Sequence, residues 1–240
     1  MLSVTQYFFM FFFLTVVPTA IVLIYYRELI FGGPTQGGKT KITASESRLD
    51  DFLAIAHTGK IRILTGEASP RVFNEKIVDS FKQAKKRGCQ IIVMSGPFLI
   101  LDSQSKKSIL AELATDGIVD YYFLEKRYKD HFTVDSKGLL YYELEHPPNA
   151  DKRTGVYFKN NKFEAKHYVN RFDDVIQSFG ATKFEKGKNE PLYLTEAQVD
   201  EILSILGGNQ KINNLNRDGI LELLQNNETG KSEMAQIGGE

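Results

Sequence analysis

A chain of 240 residues with 30 Lys+Arg and 30 Asp+Glu has room for one domain with appendages and carries no formal net charge. No global field would gather nucleic acid, so that partner is not expected, and any anionic partner needs a local basic patch. The single cysteine, Cys89, excludes an intrachain disulfide, and its place between Gly88 and an apolar run reads as a small buried hydrophobe.

Tyr7 to Tyr26 contains no charged side chain. Its twenty residues, at about 1.5 Å rise each, span about 30 Å, the thickness of a hydrocarbon core. Only a helix satisfies its own backbone there. Tyrosines at both ends suit the two interfaces, and Pro18 predicts a kink in mid-span. A cleaved leader would open on basic residues, whereas residues 1–6 hold neither Lys nor Arg. Arg27, Lys39 and Lys41 follow the span, which places the N-terminus outside and the main domain in the cytoplasm. The expected single-pass organisation is an anchor over 1–31, a juxtamembrane linker with a short helix over 32–57, an α/β domain over 58–180, a helical tail over 181–226 and a disordered C-terminus over 227–240. The lipid bilayer, met through residues 7–26, is the first expected partner.

Within the linker, Gly33 to Thr40 fits G-x-x-x-x-G-K-[ST]. In that pattern backbone amides from Gly33 to Gly38 would surround phosphates, with Lys39 on the β/γ-phosphates and Thr40 on magnesium. The loop must join a buried strand to a helix N-terminus, and only the short run Leu29–Phe31 precedes it. The alternative is a flexible, basic Gly linker.

The remaining elements alternate. Ser47 to Ala56 fits a short helix, and Lys60 to Leu64 a strand. Ser69 as cap and Pro70 in the first position predict a helix whose apolar stripe is Phe73, Ile77, Phe81 and Ala84. Lys85, Lys86 and Arg87 suit its last turn and Gly88 its end. Gln90 to Met94 follows as a buried strand, stopped by Gly96-Pro97, completing a β-α-β unit. A helix is predicted over Ser105–Thr115 and strands over Val119–Leu124, Phe132–Val134 and Leu139–Leu144, with a turn at Asp135–Gly138. His146 to Asn149 breaks regular structure, Val156–Phe158 reads as a short edge strand and Lys162–Phe179 as a helix. The charged stretch 183–190 reads as a loop. Thr195-Glu-Ala-Gln198 is a capping box opening a helix to Leu206, with Val199, Ile202, Leu203 and Leu206 as a stripe that either faces a membrane-complex partner or packs on the domain. A last short helix fits Asp218 to Gln225. The fold class is α/β, a mixed sheet flanked by helices.

No histidine among His57, His131, His146 and His167 has metal-ligand spacing, and no cofactor is expected. His131 stands at a strand start beside Asp130, after Arg127 and Lys129. A strand-borne imidazole with a carboxylate neighbour suits a nucleophile or acid in phosphoryl transfer. The Arg127–His131 edge and the Lys85–Arg87 helix end are candidate contacts for an anion.

Together, Ile61–Gly66, Ala84–Gly88, Ile91–Pro97, Asp130–Gly138, Glu145–Asn149 and Arg171–Asp174 resemble, in this order, one repeat of the phospholipase D superfamily over roughly Thr58 to Phe179. Active members carry His-x-Lys-x4-Asp, usually followed by Gly-Ser and Asn, and set two such motifs face to face. One His attacks phosphorus, the other protonates the leaving group, and the lysines hold the phosphate. His131 matches the first position, but Thr133 stands for the Lys and Gly138 for the Asp; Asp135 comes three residues early. Lys137 would have to supply the missing cation, and Asn149 is the only nearby asparagine. The resemblance therefore implies the non-catalytic branch: a membrane-tethered module binding a ligand or protein partner through Arg127, Lys129, Lys137 and Asn149, sometimes as a homodimer. The alternative is a nuclease or phospholipase that joins His131 from two subunits, and a further one is nucleotide binding through Lys39.

Overall fold

The computed structural model describes residues 39–44, 49–56, 58–66, 68–143, 153–158, 161–206 and 216–225, together with Thr15. The predicted membrane span apart from Thr15, the loop residues Gly33 and Gly38, and His57, His146 and Asn149 lie outside these. Among the described residues no helix is long and apolar enough to cross a membrane.

The central strands are apolar on both faces, and this sets the layers. In β2 (Lys60–Leu64), Ile61 and Ile63 enter one core while Leu64 enters another. The same alternation runs through β3 (Gln90–Ser95), with Ile91 and Val93 against Met94. It recurs in β5 (Asp120–Phe123) and β7 (Leu140–Glu143), while β6 (Phe132–Asp135) gives Phe132 and Val134 to the second core and turns the polar Thr133 and Asp135 to the other face. The first core is closed by α1 (Leu49–Ile55), α2 (Glu75–Lys86) and α3 (Ile109–Thr115). The second is closed by α4 (Lys162–Ser178) through Ala165, Phe172 and Val175.

With β1 (Lys39–Ala44), β8 (Arg153–Phe158) and β9 (Thr182–Lys183), the eight-stranded sheet runs β1-β8-β7-β6-β2-β3-β5-β9. The pairs β2–β3 and β3–β5 are parallel, and β2–β6, β6–β7, β7–β8, β1–β8 and β5–β9 are antiparallel. The β-α-β unit and the mixed, helix-flanked sheet are as expected. The helix expected over Ser105–Thr115 begins at Ile109, where Ser108 caps it by accepting the Ala111 N–H, and two further boundaries differ. The stretch read as linker supplies β1, so β8 lies inside the sheet and not at its edge. The helix expected from Ser69 begins at Glu75, because Ser69 spends its carbonyl on a turn to Val72 and Phe73 while Asn74 takes the Ile77 N–H at 3.2 Å. The apolar stripe survives, since Phe73 precedes the cap and stacks on Phe81. Gly88, at φ +86°, ends α2 by returning its N–H to Lys85 and that of Cys89 to Ala84.

Two further strands, β4 (Phe98–Leu101) and β10 (Leu192–Thr195), form a separate parallel pair. With α5 (Glu196–Leu206) and the helix α6 (217–225), they bury Phe98, Ile100, Leu194, Val199, Ile202 and Ile220. The capping box is present: Gln198 accepts the Thr195 N–H at 2.9 Å and donates its own to Thr195 Oγ1 at 3.2 Å. Of the α5 stripe, Val199 and Ile202 are buried against the apolar surface of β4 and β10, the packing alternative, while Leu203 and Leu206 are half-buried.

Two polar groups pin this frame. Arg62, on the α4 face of β2, is 8% exposed and is gripped by both Asp173 oxygens at 3.1 and 3.3 Å. Asp135, 1% exposed, accepts the N–H groups of Lys137 at 2.8 Å and Leu139 at 2.9 Å through one oxygen, folding the β6–β7 turn. Asp135→Ala should lower unfolding free energy by about 2 kcal/mol, read as a lower urea midpoint with unchanged slope. Asp173→Ala, which leaves the Arg62 charge buried without its carboxylate, should cost about 1–3 kcal/mol, whereas Arg62→Met should cost less.

Candidate functional site

Because β6 runs against β2, its first residue meets the carboxyl ends of the parallel strands, where open α/β sheets hold ligands. The ladder continues past those ends. Thr65 donates its N–H to Met94 O at 2.9 Å, and Gly96 donates to Gly66 O at 3.2 Å. A Cβ on Gly96 would stand 2.4 Å from Gly66 O and 3.5 Å from Arg127 Cα, so only glycine lets these segments touch. A Cβ on Gly66 would lie 3.1 Å from both Cε1 and Nε2 of His131 and 3.0 Å from Tyr128 O. The imidazole of His131, half-buried, therefore rests directly on backbone.

The ring is oriented by that backbone. The Gly66 N–H donates to His131 Nδ1 at 3.4 Å, with Thr65 Oγ1 at 3.5 Å from the same atom. A backbone amide can only donate, so Nδ1 is the acceptor in this contact.

Asp130, expected as the partner of His131, turns to Arg171 on α4 in a close ion pair. Arg171 Nε also donates to Tyr128 Oη at 3.4 Å. Burial works against the Arg171 charge, but Tyr128 and Asp130 outweigh it and hold its pKa above the ordinary value. Arg127 is half-buried beside Gly96, and Lys129 is exposed.

The remaining expected residues are not gathered here. Thr133, in the position where the resemblance asks for Lys, is 5% exposed and paired between Ile63 and Tyr141. Lys137 lies beyond the far end of β6, where its Nζ donates to Thr58 Oγ1 at 3.4 Å. A strand of four residues separates it from His131 by more than about 13 Å, so it does not substitute for the missing lysine. The basic end of α2 shares that distant rim, since Gln90, three residues after Arg87, donates to Gly59 O at 2.8 Å. Lys39 and Thr40 open the edge strand β1, opposite Phe158 and Tyr157. The phosphate-cradling pattern needs them at a helix N-terminus, and the alternating Lys-Thr-Lys-Ile sequence goes to a strand instead.

Residues the sequence reading passed over complete the rim. Thr65, Gly66 and Gly96 were legible only as strand stops, although a glycine just past each of two parallel strands is a signal in itself. Farther along, past the ends of β5 and β9, a polar cleft of about 730 Å³ is lined by Lys126, Lys188 and Arg217 and by Glu125, Glu190 and Asp218, among others. Lys188 is held by Glu185 at 2.8 Å and Arg217 by Glu190 O at 3.4 Å.

No family model matches this chain, nor does any curated protein. Among solved structures it is similar to TrmBL2, an archaeal chromatin protein described with a novel mode of DNA binding, at 15% identity and a TM-score of 0.46, over 70% of this chain and 61% of that one. It is similar to the phospholipase D family member Nuc from Salmonella typhimurium at 12% identity and a TM-score of 0.42, over 62% of this chain and 100% of that one. For phosphatidylserine synthase from Haemophilus influenzae the values are 12% and 0.41, over 70% of this chain and 45% of that one.

The glycine contact gives a direct check. Gly66→Ala should displace the His131 ring, read as a change in its ring nitrogen-15 NMR signals, and unchanged signals in that variant would contradict this contact.

Proposed function

We propose that this chain is a membrane-tethered, non-catalytic module of the phospholipase D-like kind, which binds a ligand or protein partner at the carboxyl rim of its sheet. One observation carries the reading. The strand position two residues after the lone motif histidine, where a cation would be needed, is a buried threonine. Phosphoryl transfer builds negative charge that preorganised cations must meet. Lys137, the cation that sequence offered in compensation, is at the opposite rim. What remains suits recognition: a His131 ring packed on backbone beside Arg127, and a polar cleft past the ends of β5 and β9. Tethering rests on the uncharged stretch Tyr7–Tyr26 and on the cations that follow it.

Two measurements test the two halves. Full-length protein in detergent should hydrolyse bis(p-nitrophenyl) phosphate no faster than a protein-free blank, and turnover that disappears in His131→Ala would replace this reading with the two-subunit phosphodiesterase. Membranes carrying the chain should retain it through an alkaline carbonate wash, while release into the supernatant with residues 1–31 intact would remove the anchor.

A further inference from the structure

The rim opposite His131 gathers positive charge, and contacts along the sheet trace it. Arg87 donates to Leu53 O, Gln90 to Gly59 O at 2.8 Å, Ser136 to Lys60 O at 3.1 Å and Asn161 to Gly138 O at 3.0 Å. This chain of contacts brings together Lys60 at the start of β2, Lys85, Lys86 and Arg87 at the end of α2, Lys137 in the β6–β7 turn and Lys162 at the start of α4. All are exposed except the half-buried Lys60. Among the described acidic groups, Asp116, Asp120, Glu164 and the buried turn brace Asp135 are on or beside this rim. Asp120 is already held by Lys183 at 3.3 Å and by Gln90 at 3.1 Å.

Helix electrostatics explain only part of this. Lys85 and Lys86 suit a helix C-terminus, but Lys162 is in the first turn of α4, where the dipole disfavours a cation. In a chain with no net charge, collecting cations on one rim costs repulsion without serving the fold.

The tether enters on the same rim. β1 begins at Lys39 opposite Phe158, and Phe158 is opposite Leu140, two residues past Gly138. Between Tyr26 and Lys39 lie residues 27–38, which reach at most about 40 Å when fully extended. An anchor at Tyr7–Tyr26 would therefore join the domain on this rim, within about 40 Å of the bilayer, and charge rather than linker length would have to choose the rim that faces the lipid.

We infer that the amino rim docks on the anionic headgroups of the leaflet beside the anchor, holding the carboxyl rim away from the membrane to meet its partner. The occupant is the lipid surface itself, fitted by charge and by continuity with the tether. This rests on the membrane-anchor reading above.

The test uses the full chain in nanodiscs of phosphatidylcholine alone or with a third phosphatidylserine, and measures the acylation rate of each lysine by mass spectrometry. Lys85, Lys86, Lys137 and Lys162 should react about fivefold more slowly on the anionic discs. Lys126 and Lys188 on the far rim should not change. The protection should vanish at 1 M salt, where the Debye length is about 3 Å. Lys85→Glu with Lys86→Glu should abolish it at low salt. Equal rates on both lipids, or protection of the far rim instead, would overturn the docking while leaving the anchor intact. A chain that never enters the discs would overturn the anchor, and the docking with it.

Discussion

The approach of Gly66 to Gly96 is the constraint on which the carboxyl rim depends. Two parallel strands usually diverge into loops at their ends, but here the ladder runs one step farther, with the Gly96 amide on Gly66 O. A side chain on Gly96 would collide with that oxygen, and one on Gly66 would press on His131. Removing both side chains lets three backbone segments close around an imidazole that would otherwise have room to turn. The same closure sets the Gly66 amide on Nδ1, where it has only a proton to offer. The fold thus decides where the His131 ring sits.

The two-sided sheet explains why that decision holds. β2 and β3 are buried on both faces, so the register that sets Leu64 opposite Phe132 also sets His131 beside Thr65. A slip of one residue would turn Ile61 and Ile63 toward α4 and Arg62 into the larger core. The Arg62–Asp173 contact adds a polar lock on the α4 side, and α4 in turn carries Arg171 to Asp130. With Asp130 engaged there, the carboxylate adjacent to His131 in sequence is not its partner in space.

Sequence periodicity revealed most of the sheet, because burial on two faces writes long apolar runs at Ile61–Leu64 and Ile91–Met94. It located the hairpin at Asp135, whose carboxylate proves to be a turn brace. It failed where a partner far along the chain supplies the surface. β1 is polar and alternating, and becomes a strand only because β8 lies beside it. β10 needs β4, and the α5 stripe needs both. The start of α2 was misplaced because two good caps lie five residues apart and Asn74 won the role. At the site, His131 and Arg127 were legible by residue type. The distance that separates Lys137 from them was not, because spacing along a strand conceals which rim a turn residue reaches.

The two rims divide between them the charges that a single active site would need together. A phosphodiesterase on this scaffold would want histidine and lysine side by side at the carboxyl ends of the strands. Here the motif histidine sits at one edge of the sheet, while exposed lysines from α2, the β6–β7 turn and α4 collect at the other. That separation follows from strand direction alone: β6 carries His131 at its start and Lys137 just past its end, and no side-chain rearrangement brings them together. Chain entry at β1 breaks the remaining symmetry, since it ties the basic rim, and not the His131 rim, to whatever precedes Lys39. The domain thus carries its exposed lysines on the rim where β1 begins and His131 on the opposite rim.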